Sequence, residues 1–403
     1  MQDLAIRDQM LTIDLLSAYL KHLGVEVRFN VLTKELEVNG KLDGYSRQNA
    51  ANLLPTILSD MLRQEGAKGC MTSRVKEFLA CIADAAQFNP VRDYLHSLSW
   101  DGQDRLPGLY DALGIFGDTL SETYLRKWLI QCVALALNDE QNPVGAEGVL
   151  VLLGAQGAGK TSFFRKLVPE PRLFAEGVSL DMRDKDSRIG ALNAWICELG
   201  ELDSTTKKEQ PALKAFLTAT EDRIRPPYAS EPVRSPRRTS FCGTVNDESF
   251  LRDATGNRRY WIIQTNDIQK DFIFSLTRQS IDQLWAQIFS LWAADHNGFR
   301  LSDSELSQVQ QHNQQYEAVL PYETELRDLF DFSIPPAQWK WWKAGELSAC
   351  GLLTIGRGDA LKLGRALAKC AREFEANGYV RRAVKTVCKS NSYLLPIHFT
   401  PYP

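Results

Sequence analysis

Between positions 149 and 161 the chain reads Val-Leu-Val-Leu-Leu-Gly-Ala-Gln-Gly-Ala-Gly-Lys-Thr. An apolar, strand-like run leads straight into Gly154, Gly157, Gly159, Lys160 and Thr161, the spacing G-x-x-x-x-G-K-S/T of a loop that wraps phosphate. Glycines without a Cβ let successive backbone N–H groups turn toward phosphate oxygens at a helix N-terminus. Gly154, Gln156, Gly157, Ala158, Gly159, Lys160, Thr161 and Ser162 are therefore the expected nucleotide-binding set. Lys160 supplies charge to the β- and γ-phosphates, and the Thr161 hydroxyl is placed to ligate Mg²⁺. The expected ligands are a nucleoside triphosphate and Mg²⁺. A chance glycine-rich turn is the bland alternative, but the loop stands between Val149–Leu153 and the amphipathic stretch Ser162–Val168, the context that a phosphate loop requires.

A second element lies 35 to 40 positions further on, where Trp195-Ile196-Cys197-Glu198-Leu199-Gly200-Glu201 forms an apolar run ending in carboxylates. One carboxylate at such a strand end can hold the water shell of Mg²⁺ while another polarises the water that attacks the γ-phosphate. Glu198 and Glu201 are the candidates, with Glu198 also assigned to the metal, and their spacing leaves open which one acts as base. Solvent-facing glutamates are the bland alternative. Third, Leu213–Thr218 runs into Asp222-Arg223-Ile224-Arg225-Pro226-Pro227-Tyr228 and then Arg234, Arg237 and Arg238. Basic side chains beside an aromatic can follow a phosphate backbone and stack on bases; a solvated charged loop is the plainer reading. Phe241–Val245 is an apolar run ending at Asn246, a polar group suited to the γ-phosphate or its attacking water. Arg258 and Arg259 precede another apolar run, as surface decoration or as an arginine finger acting across a subunit boundary.

These residues need elements to position them. Short apolar runs at Ala194–Leu199, Thr239–Val245 and Tyr260–Ile263, separated by loops or helices, predict an α/β sheet around the glycine loop. Ile281, Leu284, Trp285, Ile288 and Trp292 share one helical face, as a lid or post-core helix would. Upstream, residues 11–23 predict a helix. Val25, Val27 and Phe29 alternate toward a hairpin with Leu36 and Val38, closed near Asn39-Gly40. Helical patterns fill 46–88, and another helix spans Tyr124–Leu137.

At 403 residues the chain is too long for one ordinary core. A formal net charge of −3 excludes a uniformly basic nucleic-acid coat, so contacts with DNA must come from local clusters. Eight cysteines, none in C-x-x-C spacing, argue against a zinc site or disulfide framework and suggest a reducing compartment. No segment reaches the roughly 18 to 20 apolar residues of a membrane span, and the expected location is the cytoplasm.

From about Asn89 to Trp292 the chain resembles the virulence-associated protein E family of phage, satellite and plasmid-like elements, related to superfamily-3 helicases and viral primase-helicases. The resemblance rests on Asn-Pro-Val-Arg-Asp-Tyr-Leu (89–95), Trp-Asp-Gly (100–102), the glycine loop and Lys185-Asp186. It continues through Glu-Leu-Gly-Glu-Leu (198–202), Lys-Ala-Phe-Leu-Thr (214–218), Asp-Arg-Ile-Arg-Pro-Pro-Tyr (222–228), Gly-Thr-Val-Asn (243–246) and 250–261. It implies an α/β fold with an AAA+-like P-loop core and helical lid, assembled into a homo-oligomeric, hexameric ring that hydrolyses ATP and moves along DNA in a bacterial host cell. On that resemblance Asn246 is a sensor, and Lys214, Asp222, Arg225 and Tyr228 belong to the element that carries a DNA-contacting hairpin, with single-stranded DNA in the ring channel. Arg258 or Arg259 acts in trans. The segment 137–148 departs from the family in being less basic. Residues 1–88 look too short for a priming domain, so a separate primase is expected.

Residues 336–403 contain eleven Lys or Arg against four acids, a basic segment in an acidic chain. A helix over Leu361–Asn377 capped at Gly378, followed by strands at Tyr379–Val387 and Tyr393–Ile397, fits a winged-helix-like module binding duplex or origin DNA. Packing on an acidic partner is the alternative, and Trp339, Trp341 and Trp342 read as packing anchors. The expected organisation is an N-terminal α+β region (1–88), an ATPase domain with lid (89–330) and the basic module (336–403). The leading function is a DNA helicase or translocase in replication of a mobile element. An ATP-regulated initiator or defence switch without unwinding, and a small-molecule phosphotransferase, are the alternatives.

Overall fold

A computed structural model describes residues 6–42, 49–200, 210–224, 231, 233–251, 257–265, 268–356, 359–376, 382–384 and 391–397. The chain divides into two compact units, residues 1–316 and 317–403.

The first unit begins with helix α1 (Ile13–His22), strands β1 (Glu26–Asn30) and β2 (Glu35–Asn39), helices α2 (Ala50–Gln64) and α3 (Thr72–Ala85), and the short strand β3 (Gln87–Phe88). Thr12 caps α1 by accepting from the Leu15 N–H at 3.1 Å, and Leu15, Leu16, Tyr19 and Leu20 turn one face inward. β1 pairs antiparallel with β2 and parallel with β3. The hairpin closes at Val31–Lys34, not near Asn39-Gly40, because Asn30 Oδ1 accepts from the backbone N–H groups of Leu32 (2.9 Å) and Thr33 (3.2 Å). Such an Asx turn needs no Asn-Gly pair. Gly40 lies instead at the open end, where a Cβ would stand 2.6 Å from the Gly24 carbonyl oxygen.

Helices α4 (Pro90–Ser97), α5 (Leu106–Ala112) and α6 (Thr119–Ala136) follow. The core then alternates β4 (Val149–Leu153), α7 (Lys160–Leu167), β5 (Phe174–Val178), α8 (Lys185–Gly190), β6 (Ile196–Leu199), α9 (Gln210–Leu217), β7 (Glu221–Ile224), β8 (Val233–Pro236), β9 (Ser240–Val245) and β10 (Tyr260–Gln264). Among the described residues, five of these strands form one parallel sheet in the order β10-β4-β9-β6-β5. Parallel sheets are covered on both faces. Accordingly all five residues of β4 are buried, with Leu150 and Leu152 in one core beside Trp128, Phe163 and Trp285 and Val149, Val151 and Leu153 in the other beside Leu213, Leu217 and Phe241. The fold is therefore mixed α/β, as the spaced apolar runs predict. β5 has no such run: Glu176 and Gly177 interrupt it, and it occupies the sheet edge.

Helices α10 (Lys270–Ser275), α11 (Arg278–Ala294) and α12 (Asp303–Asn313) complete this unit. Ile281, Leu284, Trp285 and Ile288 of α11 are buried as expected, and Trp292 is half-buried against Phe289. The family-like stretches before the glycine loop turn out to hold α11 in place. Asn89 caps α4 and donates to the Ala136 carbonyl. The Tyr94 hydroxyl donates to Asp282 at 2.6 Å, the Asp101 N–H to Gln283, and the Arg105 N–H to Gln287.

The second unit contains α13 (Glu323–Asp328), β11 (Lys340–Trp342), α14 (Ala344–Ala349), α15 (Ala360–Ala376), β12 (Arg382–Val384) and β13 (Asn391–Leu395). Among the described residues, three strands of this unit form an antiparallel sheet in the order β11-β13-β12, packed on Leu363, Ala366, Leu367 and Cys370 of α15. The predicted helix and second strand are thus present. Gly378 and much of 379–387 lie outside the described residues. Trp339 and Trp342 are buried, whereas Trp341 is 47% exposed and so anchors nothing fully. No helix among the described residues is long and apolar enough to cross a membrane.

Candidate active site

All five strands of the parallel sheet point their carboxyl ends to the same edge, and there β4, β9 and β6 lie side by side. β4 pairs with β9 through Leu153 opposite Val245, and β6 with β9 through Glu198 opposite Cys242. The glycine loop after β4, Asn246 after β9 and Glu198 near the end of β6 must therefore meet. This is the position where open α/β sheets bind ligands.

The loop owes its path to its glycines. Gly157 (φ +76°) and Gly159 (φ +104°) take the left-handed region that a Cβ disfavours. Gly154 is required by packing, since a Cβ there would approach the Thr265 carbonyl oxygen to 2.3 Å. Gln156 and Gly157 face solvent, Ala158 and Ser162 are half-buried, and Gly159 precedes the first residue of α7, Lys160. Lys160 is buried and its Nζ donates to the carbonyl oxygens of Gly154 (2.7 Å) and Ala155 (2.8 Å) and to Asn246 Oδ1 (2.9 Å). Burial lowers the pKa of this ammonium from its ordinary value, against the opposing pull of Glu198.

Glu198 is 3% exposed, so its carboxylate must be satisfied internally. Thr161 Oγ1 donates to Oε1 at 2.7 Å, Thr244 Oγ1 donates to the same oxygen at 2.9 Å, and the Gly177 N–H donates to Oε2 at 3.3 Å. Thr161 and Glu198 together offer hard oxygen donors. Such a pair suits Mg²⁺, which is bound by one or two carboxylates together with substrate phosphates rather than by an all-protein cage. The described residues contain no group of three or more His, Cys, Asp or Glu placed to hold a metal.

The structure thus brings together Lys160, Thr161, Glu198 and Asn246. Arg258 and Arg259 are elsewhere. They sit in a short 3-10 turn before β10, which runs parallel to β4 with Tyr260 opposite Val149 and Gln264 opposite Leu153. The arginines therefore lie at the amino edge of the sheet, about 13 Å or more from the glycine loop at about 3.3 Å per residue. Arg258 is exposed, and Arg259 Nε is buried with no hydrogen-bond partner among the described residues. Asn313 braces the turn through the carbonyl oxygens of Asn257 and Tyr260.

Glu201, Arg225 and Tyr228 lie outside the described residues. β7 and β8, which flank Arg225 and Tyr228 in the sequence, pair antiparallel, with exposed Arg223 directly opposite exposed Arg234. Lys214, expected at a DNA-gripping surface, is instead 8% exposed with contacts of its own. Arg237, part of the same basic cluster, is 1% exposed: it binds both Asp222 oxygens and lies 4.5 Å from the Phe216 ring centre. Lys214 lies on α9, whose Leu213 and Leu217 pack in the core of the sheet, and Arg237 lies over the Phe216 and Phe241 rings, where a charge must find partners. In the second unit Lys369 is likewise buried, paired with Glu323 at 2.9 Å, so the basic count overstates the exposed charge there.

Thr244 and Gly177 join the site without having been singled out from sequence. Thr244 lies within Gly-Thr-Val-Asn, two positions before Asn246, and a residue two apart on a strand faces the same side. That spacing was a usable signal. Gly177 arrives through an irregularity of β5 between Ala175 and Val178, for which the sequence carries no pattern.

Solved structures similar to the chain include two apo structures of the NrS-1 C-terminal region (305–718). One has a TM-score of 0.45 at 12% identity, covering 95% of this chain and 98% of that one. The other, in the A form, has a TM-score of 0.46 at 12% identity, covering 94% and 98%. Likenesses of this size bear no functional argument. No curated protein matches the chain. The model of the virulence-associated protein E-like domain matches residues 95–318, a stretch that contains the glycine loop, Glu198, Asn246 and both arginines. The chain belongs to the virulence-associated protein E-like family.

Proposed function

We propose that the chain is a superfamily-3-like ATPase that drives DNA unwinding or translocation as a homo-oligomeric ring during replication of a phage or mobile element. The observation that carries this reading is the convergence of Lys160, Thr161, Glu198 and Asn246 on the ends of three adjacent parallel strands. Lys160, whose three N–H donors go to two loop carbonyls and Asn246, would give up one or more of these bonds to neutralise the β- and γ-phosphates. Asn246, whose Oδ1 accepts from Lys160, keeps its amide N–H groups for a γ-phosphate oxygen or the attacking water. Thr161 and Glu198 would hold Mg²⁺, which when bound shares the negative charge that builds on the phosphoryl oxygens. Phosphoryl transfer asks for positioning and charge, which these four side chains supply.

The amino-edge location of Arg258 and Arg259 favours an assembly. Neither reaches the glycine loop of its own chain, so an arginine finger would have to come from a neighbouring copy, as a ring permits. Membership of the virulence-associated protein E-like family supports a phage-type replication role. We read β7 and β8 as the stem of a DNA-contacting hairpin, α10–α12 as the lid of an AAA+-like core, and the second unit as a winged-helix-like module for duplex DNA. Purified protein is expected to hydrolyse ATP with Mg²⁺ and to displace a DNA strand, and Lys160→Ala should lose both activities while its circular dichroism stays native. Full turnover in Lys160→Ala would reject the site; turnover without strand displacement under any polarity of substrate would leave an ATPase but not a helicase.

A further inference from the structure

We propose that Thr244, with the Gly177 N–H, is a positioning group that locks the Glu198 carboxylate as a support for the divalent cation, which excludes Glu198 as the general base. The inference rests on the ATPase reading and deepens it. A carboxylate offers about four lone-pair directions. On Glu198, Oε1 receives two hydroxyl hydrogens, from Thr161 and Thr244, and Oε2 receives the Gly177 N–H. One direction on Oε2 is left, enough to accept from a cation-bound water but not to be at once held there and free to take a proton from an attacking water. Because Thr161 gives its hydrogen to Glu198, its oxygen lone pairs are turned outward for the cation itself.

The arrangement is built into the sheet. Glu198 lies on β6 between two neighbours: β9 brings Thr244 on one side and β5 brings Gly177 on the other. Gly177 reaches it where the β5 register shifts between Ala175 and Val178, in a left-handed conformation (φ +59°), and a Cβ on Gly200 would crowd the Gly177 carbonyl oxygen at 2.9 Å. Two glycines thus permit the close approach of β5 to the end of β6. With Glu198 almost wholly buried, loss of the Thr244 hydroxyl would leave Oε1 with Thr161 as its one remaining donor and the carboxylate freer to turn. Groups that orient a metal-supporting side chain in this way are typically worth about 10- to 100-fold in metal affinity.

The test is Mn²⁺ binding, read by electron paramagnetic resonance in the presence of ADP, for wild type, Thr244→Val and Thr244→Ser, with ADP binding in EDTA measured alongside. Valine keeps the shape of threonine and removes the hydroxyl; should it fail to fold, Thr244→Ala replaces it. Thr244→Val is expected to weaken Mn²⁺ binding about tenfold or more, with serine restoring most of it, while metal-free ADP binding stays near wild type. Unchanged Mn²⁺ affinity in Thr244→Val would overturn the proposal, and so would an equal loss of ADP binding in EDTA, which would mark Thr244 as structural only. Lys160→Ala separates the two layers: if it binds ADP as tightly as wild type, the nucleotide-site reading itself fails.

Discussion

Lys160 is a buried ammonium whose hydrogen bonds go to two carbonyls of its own loop and to Asn246. That engagement holds the side chain over the loop without a rearrangement of the core, and it links the strand ends of β4 and β9 through one contact. Glu198 performs the equivalent link between β6 and both its neighbours. For Glu198→Gln the expected outcome is retained ATP binding with turnover reduced at least about tenfold, because an amide keeps the shape but loses the charge that supports the cation. Fluorescent-nucleotide titration and steady-state hydrolysis measure the two effects separately, and wild-type turnover would dismiss Glu198 from the site. The spacing of Gly154 to Thr161 made half of this site legible in the sequence, since each residue type there has one mechanical use. The partners of Glu198 were less so. They come from strands that only the register brings together, and a hydroxyl such as that of Thr244 has no sequence signature apart from its neighbour Asn246.

At the scale of elements, alternating apolar runs foretold β4, β6, β9 and β10 because a parallel strand buried on both faces is a continuous apolar run. β5 was not foretold, because an edge strand with Glu176 and Gly177 carries no such run. In the basic cluster after α9 the sequence shows less, because composition counts charges without showing which are internal. Arg237 pairs with buried Asp222 at the base of the β7–β8 hairpin, so Arg237→Ala should cost about 3 to 5 kcal/mol, since removing one partner strands a buried charge. Chemical unfolding measures this, and a change near zero would contradict the burial. The β1–β2 turn also enters this region. Leu32 is buried in the main core, and Lys34 Nζ lies 3.5 Å from the Leu192 carbonyl oxygen. Burial pushes the Lys34 pKa from 10.5 down to about 8, with Arg237 and Arg238 adding to the shift and Asp222 opposing it. Between those two values the unfolded chain holds a proton that the folded chain has released, so stability gains with rising pH there; below pH 8 both states are protonated and the burial cost is felt in full. Lys34→Met should therefore lose its advantage over wild type, or widen its deficit, as pH rises from 8 toward 10.5. Parallel melting curves across that range would refute the assignment.

Over the whole molecule, the two units have separate cores, and the division at residue 316 falls ahead of the basic stretch that begins at 336. Segment 318–323 is tied to α15 by Lys369, which reaches the Ala318 carbonyl and Glu323. The first unit carries the proposed ATPase site but divides its charges between two edges of one sheet, Lys160 at one and Arg258 and Arg259 at the other. On the proposed reading, a chain arranged in this way would be complete only beside a second copy. Completion of the site between subunits is tested most directly by ATP hydrolysis in mixtures of Lys160→Ala with Arg258→Ala and with Arg259→Ala. Each variant alone should be nearly inactive, apart from whichever arginine is not the finger, and mixing Lys160→Ala with the finger variant should restore part of the wild-type rate, since some interfaces then join an intact loop to an intact arginine. Full activity in Lys160→Ala, or inactive variants that regain nothing at any mixing ratio, would contradict an ATPase completed between subunits.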